Sequence, residues 1–126
     1  VLDIKTGNGA FTDSIEKSRE LGELMKNIGA KFDLEVIPVY TGMDQPLGKT
    51  AGLWCEVIES WEFLNGQYSH DLYQVIHHLF SQFLPFKDAG KIMDELISSG
   101  KALQKFQEFI ELQGGKYQSI VADLHP

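Results

Sequence analysis

The sequence predicts an α/β fold. It is expected to be part of a mixed sheet with packed helices, with two strands and about five helices visible in 126 residues. Three observations predict this. Val1, Leu2 and Ile4 read as a short buried strand running into Gly7-Asn8-Gly9, where glycine permits a tight turn. A second strand pattern fills in as Val36-Ile37-Pro38-Val39-Tyr40, with a helical period in the interval between. Four more helical patterns follow. Two strands cannot make a sheet that covers so much helix, so the remainder of the sheet is expected from a segment missing from this chain.

Size and composition bound the function. A chain of 126 residues is enough for one core but not two domains, and 43% hydrophobic content marks it as globular. The net charge of −7, without a Lys/Arg run, argues against nucleic acid and against anionic membrane surfaces. Cys55 is alone, which leaves no disulfide framework and no cysteine-based metal site. The apolar runs are far short of a spanning helix. The chain opens Val-Leu-Asp in mid-strand and closes His-Pro. Both ends are expected to be internal to a longer polypeptide, and a targeting signal is not legible.

The elements follow in order. Asp3 and Lys5 share a face of the first strand, and such a pair near a strand end is expected to fix the loop. Asp13 and Glu16 form an Asp-x-x-Glu capping box. Ile15, Leu21, Leu24, Met25 and Ile28 keep helical spacing up to Gly29, the expected stop. Phe32, Leu34 and Val36 alternate with Asp33 and Glu35, which predicts a second strand from Phe32 to Tyr40, half exposed first and buried later. Pro38 places this strand near an edge or at a bulge. Thr41 to Gly48 is a loop.

The next helix carries Ala51, Trp54, Val57, Ile58, Trp61 and Leu64 as its core stripe, puts Glu56, Glu59 and Ser60 toward water, and ends at Asn65-Gly66. Ser69 or Asp71 opens a third helix with Leu72, Val75, Ile76, Leu79, Phe80 and Phe83 inward, broken by Pro85. Two further helices span Ala89 to about Ser98 and Lys101 to about Leu112, separated by Gly100 and closed by Gly114-Gly115. The tail from Tyr117 is apolar at Ile120-Val121-Ala122.

Reactive constellations are few. Gly7-Asn8-Gly9 lacks the third glycine of a dinucleotide fingerprint, because Thr12 stands there, and no G-K-[ST] makes a P-loop. His70 and His77 are seven apart, unlike the three or four of helical metal ligands, so these and His78 read as surface or half-buried histidines. Cys55, in an apolar stretch, reads as a buried inert thiol. Asp44, Glu56 and Glu59 are close in sequence, but nothing fixes their separation as a carboxylate pair.

Two stretches carry more information. Asp3-Ile4-Lys5-Thr6-Gly7-Asn8-Gly9-Ala10-Phe11 and Met43-Asp44-Gln45-Pro46-Leu47-Gly48 closely resemble the thymidine and pyrimidine-nucleoside phosphorylase family. The resemblance extends through Glu56-Val57-Ile58-Glu59-Ser60, Ser99 to Phe106 and Gln113-Gly114-Gly115, nearly the whole chain. It implies a cytoplasmic glycosyltransferase that splits pyrimidine nucleosides with inorganic phosphate into free base and (deoxy)ribose 1-phosphate. No redox cofactor, nucleic acid or membrane is implied. The family fold implied is a homodimer of an α-domain and an α/β domain, separated by a cleft that closes. Residues 1–126 would be a middle-to-late part of the α/β domain, with the upstream α-domain, the phosphate loop and the downstream α+β domain absent.

Residue by residue, Phe11 with Ala10 before it matches the position that packs against the base. Without the resemblance, Phe11 reads as a core anchor for the following helix. Leu47, Thr50 and Glu59 match positions that hold a structural cation, two through backbone oxygens and Glu59 through its carboxylate. Oxygen-only ligands suit potassium or calcium. Otherwise Glu59 reads as solvated helix face. No residue here matches a catalytic position. The Lys-His-Ser and Thr-Gly-Gly phosphate segment and the Arg, Ser and Lys set for the base edge are absent, so the chain alone is expected to be inactive. Gly52-Leu53-Trp54-Cys55-Glu56-Val57 departs from the family's Gly-Asn-Ala-Leu-Glu-Val. That leaves open a related glycosyl or phosphoribosyl transferase, and the lost half leaves open a non-catalytic interaction module.

Overall fold

The structure is a computed structural model that describes residues 1–84 and 86–124. Strand β1 (Leu2–Thr6), helix α1 (Ile15–Ala30) and strand β2 (Pro38–Gly42) form a βαβ unit, followed by α2 (Leu53–Leu64), α3 (His70–Phe80), α4 (Phe86–Ser98), α5 (Lys101–Leu112) and α6 (Tyr117–Leu124). The two strands pair in parallel, from Leu2 opposite Pro38 to Thr6 opposite Gly42. The mixed α/β class is as expected, with six helices among the described residues and α6 formed where only an apolar tail was read.

Helix α1 starts one residue later than its acidic signal. Ser14, not Asp13, is the N-cap and accepts from the Lys17 N–H at 3.4 Å. Asp13 instead pairs with Lys17, at 2.8 Å, so no capping box forms. The expected inward stripe is also corrected. The buried residues of α1 are Ser18, Gly22 and Gly29, while Leu24, Met25 and Ile28 are exposed. Small residues let the helix lie directly on the sheet: a Cβ on Gly22 would run into the Tyr40 hydroxyl, and Pro38 Cβ lies 3.1 Å from that position. The helix ends at Ala30, one residue past the expected stop, and Gly29 also serves close approach, since a Cβ there would sit 2.5 Å from Val36 Cγ2. Ile4 and Val39 form the small core of the unit.

The second strand is shorter than its alternation suggested. Phe32 and Leu34 are exposed, Asp33 takes φ +54°, and the Leu34 N–H returns to the Gly29 carbonyl at 3.0 Å. These residues wrap the end of α1 instead of joining the ladder. Pro38 opens β2, where its missing N–H costs no ladder bond.

The helices α2 to α6 form a second assembly around Phe63, Ala89, Met93 and Ile120. Helix α2 is rotated from expectation: Glu59 and Phe63 are its buried residues, and Trp54 is exposed. Trp61 is half-buried and donates from Nε1 to the Tyr117 hydroxyl at 2.9 Å, tying α2 to α6. Cys55 is free and exposed, not buried.

In α3, Ser69 stands at the N-cap, and Ile76 and, beyond the helix end, Phe83 are exposed rather than inward. The helix ends at Phe80; the break assigned to Pro85 lies outside the described residues, as does the His-Pro end. Helix α5 closes as Gly114-Gly115 predicted: the Gly115 N–H reaches the Ile110 carbonyl at 2.9 Å and the Gly114 N–H the Glu111 carbonyl at 3.0 Å, with Gly114 at φ +83°. The rings of Phe63, Tyr68, Tyr73 and His77 run in a file, and the Tyr73 hydroxyl donates to Asp94 Oδ1 at 2.8 Å.

Candidate functional site

Both parallel strands deliver their carboxyl ends to the same place, which in α/β sheets is where ligands bind. The loops leaving them, 7–14 and 43–52, meet there. The Met43 N–H donates to the Thr6 carbonyl at 2.7 Å, and the Met43 carbonyl accepts from the Gly9 N–H at 3.0 Å. A Cβ on Gly9 would lie 2.7 Å from that carbonyl, so glycine is needed for the approach. The two stretches that carry the family resemblance are therefore one structural unit.

The base of the Gly-rich turn is held by Thr12. Its backbone carbonyl accepts from the Gly7 N–H at 3.1 Å. Its hydroxyl donates to the Lys5 carbonyl at 3.0 Å and lies 2.6 Å from the Ser18 hydroxyl, which is fully buried. Thr12 is the residue that denies the sequence a dinucleotide fingerprint, and its role here is to fold the loop back onto β1.

Asp3 and Lys5 pair as expected, at 2.7 Å. Thr41 on β2 completes the group: it accepts from Lys5 Nζ at 2.8 Å and donates to Asp3 Oδ1 at 2.6 Å. Lys5 is thus occupied on both sides and makes a poor anion site. The cross-strand register, Lys5 opposite Thr41, brings this partner, and no local sequence signal marked it.

Phe11 is not a core anchor. It stands fully exposed at 110% of its reference area and, with Ala10, lines a cavity of about 480 Å³ bounded by Leu2, Leu21, Met25 and Met43. The turn that carries it is pinned at both ends while the ring itself is free to meet a ligand.

Leu47, Thr50 and Glu59 are brought together, around a cavity of about 360 Å³. Glu59 is 8% exposed, so the solvated-face reading fails. Its carboxylate accepts from the Lys49 N–H at 2.6 Å, the Thr50 hydroxyl at 2.9 Å and the Thr50 N–H at 3.4 Å. Gly48, at φ +78°, allows this: a Cβ there would lie 2.6 Å from Oε1. The Gly48 N–H in turn donates to Asp71 Oδ2 at 3.2 Å, which fastens the loop to α3.

The three acidic residues near in sequence each engage a different backbone amide. Asp44 takes the Asn8 N–H at 2.8 Å, Glu56 the Gly52 N–H at 3.0 Å, and Glu59 that of Lys49. They act as loop braces, not as a carboxylate pair. Among the described residues no group of three or more His, Cys, Asp or Glu could hold a metal ion. Among them, too, no helix is long and apolar enough to cross a membrane.

No protein-family model matches the chain. Curated proteins do. The thymidine phosphorylase of Metamycoplasma hominis is 38% identical over 130 residues, which cover 98% of this chain and 48% of that protein. The pyrimidine-nucleoside phosphorylase of Staphylococcus haemolyticus is 36% identical, covering 97% of this chain and 30% of its own. That of Bacillus subtilis is 37% identical, covering 98% and 30%. The chain thus spans about half the length of the first relative and under a third of the others.

Proposed function

This chain is a segment of the thymidine/pyrimidine-nucleoside phosphorylase family, and from that premise we propose that it supplies the base-packing wall of an enzyme that phosphorolyses pyrimidine nucleosides. The observation that carries this is Phe11, an aromatic side chain held fully exposed on a turn pinned at both ends. A pyrimidine is a flat face with polar edges, and an aromatic ring packs on such a face whatever the edge substituents. In the reaction, an oxygen of inorganic phosphate attacks C1′ of the pentose. The bond from C1′ to the base nitrogen breaks, and its electron pair leaves with the base. Rate depends on placing phosphate opposite that bond and on stabilising the leaving base. Phe11 and Ala10 contribute only the placing of the base. The groups that bind phosphate and the base edge would come from outside this chain, as would the α-domain, the α+β domain and the dimer contact.

The loop 47–50 and Glu59 would serve as the structural cation site. The Glu59 carboxylate and the backbone oxygens of Leu47 and Thr50, residues that line one cavity, would be the ligands, an oxygen-only set that suits potassium or calcium and not zinc. The Lys49 N–H takes one lone pair of Glu59 Oε1 and leaves that oxygen's second for such an ion, while Oε2 already accepts from the Thr50 N–H and hydroxyl. The uncovered apolar face of Met25, Ile28, Phe32 and Leu34, beside Val1 and Leu2, is where the remaining sheet would pack.

The test is release of uracil from uridine and of thymine from thymidine by the polypeptide that contains this segment. Release that requires phosphate is expected. A folded polypeptide that releases neither base refutes the proposal. The 126 residues alone are expected to release none.

A further inference from the structure

The Gly-rich turn rests on one side chain that the proposal above does not use, that of Asp44. Its Oδ1 accepts from the Asn8 N–H at 2.8 Å. Its carboxylate also fills the volume that a side chain on Gly7 would need: a Cβ there would lie 2.5 Å from Oδ1, 2.7 Å from Cγ and 2.8 Å from Oδ2. Gly7 has φ +118°, so the backbone is open on that side only because the residue is glycine. Next to it, Met43 makes the two backbone hydrogen bonds to Thr6 and Gly9. Met43-Asp44 therefore grips the turn along residues 6–9, while Thr12 holds its far end. Between these anchors stands Phe11, which no packing contact fixes, since its ring is fully exposed. Among the described residues no ion pair involves Asp44. Its contribution lies in shape and in one acceptor atom rather than in charge balance.

From this geometry we infer that Asp44 is a positioning residue, which sets where the Gly7–Gly9 turn carries Phe11 and so sets affinity for the nucleoside. The inference rests on Phe11 being the base wall.

Two variants of the full-length polypeptide separate shape from charge. D44N keeps the outline and the acceptor oxygen but loses the charge. D44E keeps the charge but pushes an extra methylene toward Gly7. Asp44 is exposed, so neither disturbs a core. D44E is expected to raise the KM for nucleoside about tenfold, equivalent to roughly 1.4 kcal/mol, and to leave the KM for phosphate within about twofold. D44N is expected to rescue nucleoside KM to within about threefold of wild type. Equal effects of the two variants, or a larger effect of D44N, overturn the inference. If the wild-type polypeptide releases no base, the functional proposal fails on its own. The positioning role is then decided by hydrogen exchange of residues 6–12. Faster exchange in D44E than in D44N supports it, and equal rates overturn it.

Discussion

Removing the Glu59 carboxylate should loosen the loop 47–52 and lower stability by an amount that the structure allows to be worked out. The side chain is buried and takes three hydrogen bonds, but the one from the Thr50 N–H at 3.4 Å is long and counts for little. Two remain, from the Lys49 N–H at 2.6 Å and the Thr50 hydroxyl at 2.9 Å. A hydrogen bond to a charged group contributes about 1.5–3 kcal/mol. Lys49 and Thr50 are exposed and regain water once the carboxylate is gone, which offsets part of the loss. Glu59→Ala should therefore cost about 2–3 kcal/mol, and Glu59→Gln, which keeps one acceptor oxygen, about 1 kcal/mol.

Gly48→Ala should also destabilise, since its Cβ would meet Oε1 at 2.6 Å and φ is +78°. Combined with Glu59→Ala, it should cost less than the sum of the two, because the clash disappears while the backbone strain stays. Equilibrium urea unfolding measures the totals, and hydrogen exchange across residues 47–52 reports the loop directly. A Glu59→Ala protein within about 0.5 kcal/mol of wild type, with unchanged exchange, would show that Glu59 behaves as an ordinary surface residue and refute the reasoning.

Phe11→Ala should leave the unfolding midpoint unchanged, because the ring buries nothing. It should raise the KM for nucleoside by about 5- to 150-fold in steady-state assays of the full polypeptide, the range that loss of base–aromatic packing predicts. Potassium should raise the melting temperature over an equal concentration of tetramethylammonium, and Glu59→Gln should abolish the difference. Burial first, and then the hydrogen bond to Asp94, push the Tyr73 hydroxyl from 10.0 up to about 12. The folded state thus keeps a proton that the unfolded chain releases. That stabilisation is complete below pH 10.0 and is lost as pH rises toward about 12. Thermal unfolding of wild type should fall more steeply across that window than that of Tyr73→Phe.

Local chemistry was legible in the chain wherever a residue acts on its own backbone. Gly114-Gly115 closes α5 because only glycine adopts the left-handed geometry there at little cost, and Gly7-Asn8-Gly9 turns for the same reason. Strand, helix, strand and helices α2 to α5 followed from hydrophobic period together with the Gly and cap residues between them, and the Asp3–Lys5 pair from the two-residue period of a strand. Period failed where one face of a helix meets more than water or core. Helix α1 buries Ser18, Gly22 and Gly29 because close approach selects small side chains, Gly22 against Pro38 and Tyr40 and Gly29 against Val36, so its larger apolar residues lie on the uncovered side. Glu59 looked like solvated face because its partners, the amides of Lys49 and Thr50, precede the helix and fold back over it.

The same limit hid Thr41 from Asp3 and Lys5, and Asp44 from Gly7 and Asn8. Each pair is separated by more than thirty residues and meets only because parallel pairing sets β1 beside β2 in one register. The sequence by itself determined the order and type of the elements from β1 to α5 and the two stretches that mark the family. Only the tertiary structure decided that these stretches clasp each other, that Glu59 is buried and that Phe11 stands free. Contacts between distant residues depend on register and helix rotation, which local propensity does not encode.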